Sequence, residues 1–115
     1  MAFKALFLAH APDADKEKHC KEIKTSVYHL YVVVVKNQKE AVAVAKAYAA
    51  EKQIESIILC PGFSHGEVAE IFNAAEKKAA VSVARNDGPS NMISQAARKK
   101  ARIKGKGGPP NSKTS

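Results

Sequence analysis

The chain has no tryptophan, few aromatic residues, and only two cysteines in its 115 residues. Cys20 and Cys60 stand far apart with no C-x-x-C spacing. With no export signal to suggest an oxidising compartment, they read as two free thiols. His10, His19, Cys20, His29, Cys60 and His65 form no tight ligand pair beyond adjacent positions 19 and 20, whose side chains diverge on a helix, so no metal site is expected. The longest apolar stretch, "LYVVVV", falls far short of the roughly 20 residues needed to span a membrane. The N-terminal "MAFKALFLAHAPDAD" has too short an apolar run and meets acids too early for a secretory signal. A soluble, cytoplasmic protein without membrane contact is expected. The phosphate-loop pattern G-x-x-x-x-G-K-[ST] and the dinucleotide pattern G-x-G-x-x-G are both missing, so no nucleotide or other cofactor is expected.

Acids are missing from one end only. Residues 1–97 hold twelve Lys and Arg against all eleven acids, whereas residues 98–115 add seven cations and no acid, giving the net charge of +8. The basicity therefore belongs to the C-terminal end. Residues 1–103 read as a single domain, and 104–115, "KGKGGPPNSKTS", as a basic linker-like tail with no aromatic residue for base stacking.

The body alternates strand and helix patterns. Short apolar runs at 3–9, 27–35, 54–60 and 79–85 predict strands; the run at 27–35, "VYHLYVVVV", is apolar almost throughout and points to burial on both faces. Residues 16–24, "KEKHCKEIK", predict a short polar helix. Asn37 with Glu40, and Ser64 with Glu67, have capping-box spacing ahead of helices over 37–52 and from 64 onward. A last helix is predicted over 91–103. The expected fold is α/β: a small four-stranded, mainly parallel sheet with helices on both faces, flavodoxin-like in its order 2-1-3-4. A ferredoxin-like α+β arrangement is the alternative.

In an open parallel sheet, ligands bind beyond the carboxyl ends of the strands. "HAPDAD", "CPGFSHG" and "RNDGPSN" leave those ends, which gathers His10, Asp13, Cys60, Ser64, His65, Arg85 and Asp87 on one rim. Gly62 allows a positive φ or a close approach, the helix start at Ser64 favours an anion, and Arg85 offers a planar fork. Each has a structural alternative: Ser64 and Glu67 as a cap, Cys60 as a packing residue, His65 as a solvated side chain, Arg85 and Asp87 as a pair across a turn. His19 reads as a helix-surface residue and His29 as strand packing.

The segments "APDADKEKHCKEIKT", "LCPGFSHGEV" and "VARND" resemble a family of short, uncharacterised, mainly bacterial α/β proteins, a domain of unknown function, with A-P-x-x-D…H, L-C-G-G-F-G-x-E-G-V and V-x-R-x-D motifs. The resemblance puts Pro12, His19, Thr25, Cys60, Gly62, Phe63, Gly66, Arg85 and Asp87 at motif positions and raises His19 to a candidate site residue. It implies a shared site without naming a reaction. Pro61 stands where a glycine is usual.

Two function classes follow. One is a small-molecule site, with His19, Cys60 and His65 as candidate catalytic residues and His10, Gly62, Phe63, Ser64, Arg85 and Asp87 as candidate binding residues. The ligand is then small and anionic or carbonyl-bearing, and the chemistry a cofactor-free proton transfer of isomerase, cyclase or lyase type. The other is a non-catalytic binding protein that contacts nucleic acid or an acidic partner through the tail. The strand at 27–35 is expected at a sheet edge, where it would need cover from a second copy in a homodimer.

Overall fold

A computed structural model describes residues 2–101 of the chain; the predicted basic tail at 104–115 lies outside them. The elements run β1 (Phe3–His10), β2 (Cys20–Lys24), β3 (Tyr28–Val35), α1 (Gln38–Glu51), β4 (Ser56–Leu59), α2 (His65–Ala74), β5 (Ala80–Val83) and α3 (Gly88–Lys100). They form a mixed α/β fold with one five-stranded sheet in the order β2-β3-β1-β4-β5. Strands β3, β1, β4 and β5 are mutually parallel, and β2 lies antiparallel on the outer edge of β3. No described helix is long and apolar enough to cross a membrane.

Two expectations are corrected here. The sheet has five strands rather than four, because the segment predicted as a helix over 16–24 holds one turn at 16–18 and then strand β2. Its apolar content explains the change. Cys20 and Ile23 are its only apolar side chains, too few to give a nine-residue helix a stripe worth burying. The same backbone pairs with the unfilled edge of β3, from Cys20 opposite Val33 to Lys24 opposite His29. Tertiary pairing thus outweighs local propensity. Thr25 closes the hairpin: its hydroxyl accepts from the Val27 and Tyr28 N–H groups at 3.2 and 2.9 Å. Consequently the apolar strand β3 is interior, not an edge. The new edge carries Lys21, Glu22 and Lys24, charges that discourage open-ended strand pairing.

The second correction concerns the helices. The steps from β3 to β4 and from β4 to β5 run the same way across the sheet, so right-handed connections put α1 and α2 on one face. They pack against each other over Leu6, Leu8, Val33, Val35, Ile57 and Leu59. The opposite step, from β1 to β3, would carry a connecting helix to the second face, but β2 takes its place in the sheet. Among the described residues, α1 and α2 therefore share one face, and α3 packs extensively against no strand.

Local chemistry fixes the helix starts. Asn37 Oδ1 accepts the Glu40 N–H at 2.9 Å, while Glu40 Oε1 accepts the Lys36 N–H at 2.8 Å. Ser64 Oγ accepts the Glu67 N–H at 3.2 Å, and Glu67 Oε1 accepts the Ser64 N–H at 2.8 Å. Gln53 (φ 57) and Glu76 (φ 58) adopt the left-handed conformation just past α1 and α2, turning the chain toward the next strands.

Leu59 is fully buried under both helices, whereas the Ser64 cap is exposed. In chemical denaturation, Leu59→Ala should lower stability by about 2–5 kcal/mol. Ser64→Ala should lower it by only about 0.5–2 kcal/mol. Equal losses would refute this division between core and cap.

Candidate functional site

The carboxyl ends of the parallel strands form one continuous rim. The hydrogen-bond ladder extends past the strands through Val34 N–H to His19 O (2.9 Å), Ala11 N–H to Val35 O (3.0 Å), Cys60 N–H to Leu8 O (2.9 Å) and Ala84 N–H to Leu59 O (2.8 Å). His19, His10, Cys60 and Arg85 thereby succeed one another along it. At about 4.8 Å per strand, His19 and Arg85 each stand roughly 10 Å from the His10 line, on opposite sides.

The centre of the rim is built by His10 and Phe63. Their rings stack with centroids 4.8 Å apart and planes 22° from parallel. Phe63 is buried and belongs to the hydrophobic core, so it gives the His10 ring a fixed floor. Gly62 precedes it with φ +115, a conformation that side-chain-bearing residues rarely adopt. A Cβ there would meet His10 Cε1 at 3.9 Å, an ordinary contact, so backbone conformation rather than space is what calls for glycine. Cys60 is half-buried and packs against the core, one ladder step from this stack.

The remaining candidates lie at the margins. Ser64 and His65 are exposed at the start of α2. The Glu67 carboxylate, held by the reciprocal cap, already places a negative charge at that helix terminus. Glu40 does the same at α1. Arg85 Nε donates to Asp87 Oδ1 at 2.7 Å on an exposed loop, so these two meet each other as a pair across a turn. His19 is exposed, and its Nδ1 accepts the Asp15 N–H at 2.9 Å, which makes Nε2 the protonated nitrogen of the neutral ring. Asp15 has its carboxyl held below the usual value chiefly by the Glu17 N–H it accepts, with Lys18 adding to the effect. The structure thus joins His10, Gly62 and Phe63, sets Cys60 beside them, and spreads Ser64, His65, His19, Arg85 and Asp87 outward.

A second polar constellation was not foreseen. His29 is buried on the helix-covered face, where its Nε2 pairs with Glu22 Oε2. Its ring stacks on Tyr31 at 4.4 Å, Tyr31 meets Tyr48 edge-on at 5.4 Å, and Lys52 Nζ lies 5.8 Å from the Tyr31 ring centre. His29 sits six residues before the end of β3, roughly 20 Å from the rim. An open groove of about 450 Å³ between segment 16–20 and α1 is lined in part by Cys20, Val33, Val44 and Tyr48. The signal for this cluster was the hairpin spacing of Glu22 and His29 around Thr25, which reading 16–24 as helix concealed. Among the described residues, no three His, Cys, Asp or Glu side chains are grouped so as to hold a metal ion.

A family model described as a family of unknown function (DUF6506) matches residues 3–99, and the chain belongs to that family. No curated protein and no solved structure matches the chain.

Burial, reinforced by Glu22, raises the Tyr31 hydroxyl above its ordinary value of 10.0. Burial also raises Tyr48, with Cys20, Tyr31, Glu22 and Glu51 adding to it. Because the folded state favours the protonated phenols, their contribution to stability is complete below pH 10 and is lost as pH rises through the folded-state values. Thermal unfolding followed above pH 10 should show that loss, and Tyr48→Phe should reduce it. An alkaline stability profile unchanged by Tyr48→Phe would contradict the assignment.

Proposed function

We propose that this member of the family of unknown function binds a small carbonyl-bearing molecule at the centre of the carboxyl-end rim and moves a proton on it. The observation that carries the reading is the His10 ring held face to face with Phe63 at 4.8 Å, beside the positive-φ Gly62. An imidazole fixed in orientation at a strand end is suited to general acid and base work, since it can donate from one ring nitrogen and accept at the other. Chemistry of isomerase, cyclase or lyase type fits such a site, because moving a proton between carbon and oxygen changes no overall redox state. Cys60, packed against the core, is assigned as wall rather than nucleophile.

The choice of a carbonyl over an anion rests on charge. The helix N-termini at the rim carry their own carboxylates, Glu40 and Glu67, and Arg85 is engaged by Asp87. An incoming anion would meet those acids, whereas a neutral carbonyl needs one donor and a hydrophobic floor. In this reading His65 and His19, at the two margins, touch the outer parts of a ligand rather than its reacting bond.

A titration followed by NMR, with small ketones, lactones and amides against small carboxylates and phosphates, tests the reading. Neutral carbonyl compounds should shift the His10 and Phe63 resonances, and His10→Ala should weaken binding at least about tenfold, the size expected when one hydrogen bond to a bound ligand is lost. Arg85→Ala should leave binding unchanged. Selective binding of carboxylates that depends on Arg85, or no response at His10 from any compound, would overturn it.

A further inference from the structure

The sheet face without α1 and α2 is more apolar than the face they cover. Strand register places Phe3, Phe7, Leu30, Val32, Val34 and Ile58 on it, and Lys21, at the outer strand, is its one charged strand residue. The covered face, by contrast, includes Lys4, Glu22, Lys24 and His29. A sheet with one face in water alternates apolar with polar residues, and parallel strands in particular are found covered on both sides. The row Lys21, Val32, Phe7, Ile58, Ser82 is polar only at its two ends, the pattern of an interface core inside a rim. At one corner Ile23 is 55% exposed, Phe3 44% and Tyr28 39%.

The remaining helix does not fill this face. α3 buries none of its residues; its half-buried positions, Asn91, Ser94 and Arg98, are polar, while Met92 and Ile93 are 73% and 74% exposed. A docked helix would show the reverse. Size also argues against α3 as sole cover. One helix shields a strip about 10 Å wide, whereas five strands span roughly 24 Å. A second copy brings a face of matching width.

We infer that the open sheet face is a homodimer interface, in which the same face of two copies meets about a two-fold axis, with the apolar side of α3 closing over its margin. This assembly stands independently of the ligand at the rim. The face measures roughly 24 by 20 Å, on the order of 500 Å² in projection before corrugation, and the α3 stripe adds on the order of 200 Å²; together they approach the ~800 Å² per partner of a stable interface. The two-fold arrangement requires only that the patch be complementary to itself, which a nearly uncharged apolar surface satisfies.

Light scattering coupled to size exclusion on the full chain should give about twice the 12.4 kDa monomer mass. Val32→Lys places a charge at the centre of the face. Ile23→Lys does so at an already exposed position, where the isolated fold tolerates it. Each should raise the dimer dissociation constant at least tenfold while far-ultraviolet circular dichroism stays unchanged for Ile23→Lys. A monomer at micromolar concentration, or a dimer indifferent to both variants, would overturn the inference. In the monomer case Ile93→Asp identifies the alternative: lower stability assigns the cover to the chain's own α3, and unchanged stability assigns the face to a different partner.

Discussion

Strand β3 has hydrogen-bonding groups on both of its edges, and the way they are paired governs the rest of the molecule. One edge is taken by β1, in register from Phe3 with Tyr28 to His10 with Val35. The other edge, left unpaired, would expose a row of N–H and C=O groups along an apolar strand, a template for pairing with another chain. Pairing β2 there satisfies them within the chain. It also commits residues 20–24 to the plane of the sheet, and so withholds from the second face the helix that a β1-to-β3 crossover would otherwise supply.

From that pairing two distinct surfaces arise. On the covered face, the β2–β3 register sets Cys20 opposite Val33 and Glu22 opposite Tyr31, from where the Glu22 carboxylate reaches diagonally to His29, and α1 brings Tyr48 to meet Tyr31. The result is a polar cluster in which His29 and Tyr31 are buried and Glu22 is exposed, with burial raising the Tyr31 and Tyr48 hydroxyls above their ordinary value. On the open face the same register lines up aliphatic and aromatic side chains with no helix above them.

The rim depends on the parallel strands rather than on β2. Successive strands ending on one side bring His10, Cys60 and the turn at Gly62 to neighbouring positions, and the burial of Phe63 gives His10 its orientation. Capping chemistry then works against the simplest use of a helix N-terminus. Glu67 and Glu40 stabilise the starts of α2 and α1 with their own carboxylates, and in doing so place negative charge where an anionic ligand would approach. The same carboxylates make the proposed rim site less favourable to anions than to neutral carbonyl compounds.

Much of this architecture was legible in the sequence because it rests on local chemistry. The S-x-x-E spacing at Ser64 and Glu67 specifies a capping box whatever surrounds it, and the near-continuous apolarity of residues 28–35 already asks for burial on both faces. Alternation of strand and helix patterns was sufficient to place His10, Cys60, Gly62 and Arg85 at one rim, since parallel strands must end on the same side. Which of these residues touch was decided by tertiary structure. The His10–Phe63 stack joins positions 53 apart in sequence, and the preference of Arg85 for Asp87 over the rim centre is a matter of where a loop lies. The state of residues 16–24 was likewise beyond local reading: seven polar residues with two apolar ones have little preference of their own, and the vacant edge of β3, a feature that exists only once the sheet has formed, makes them a strand.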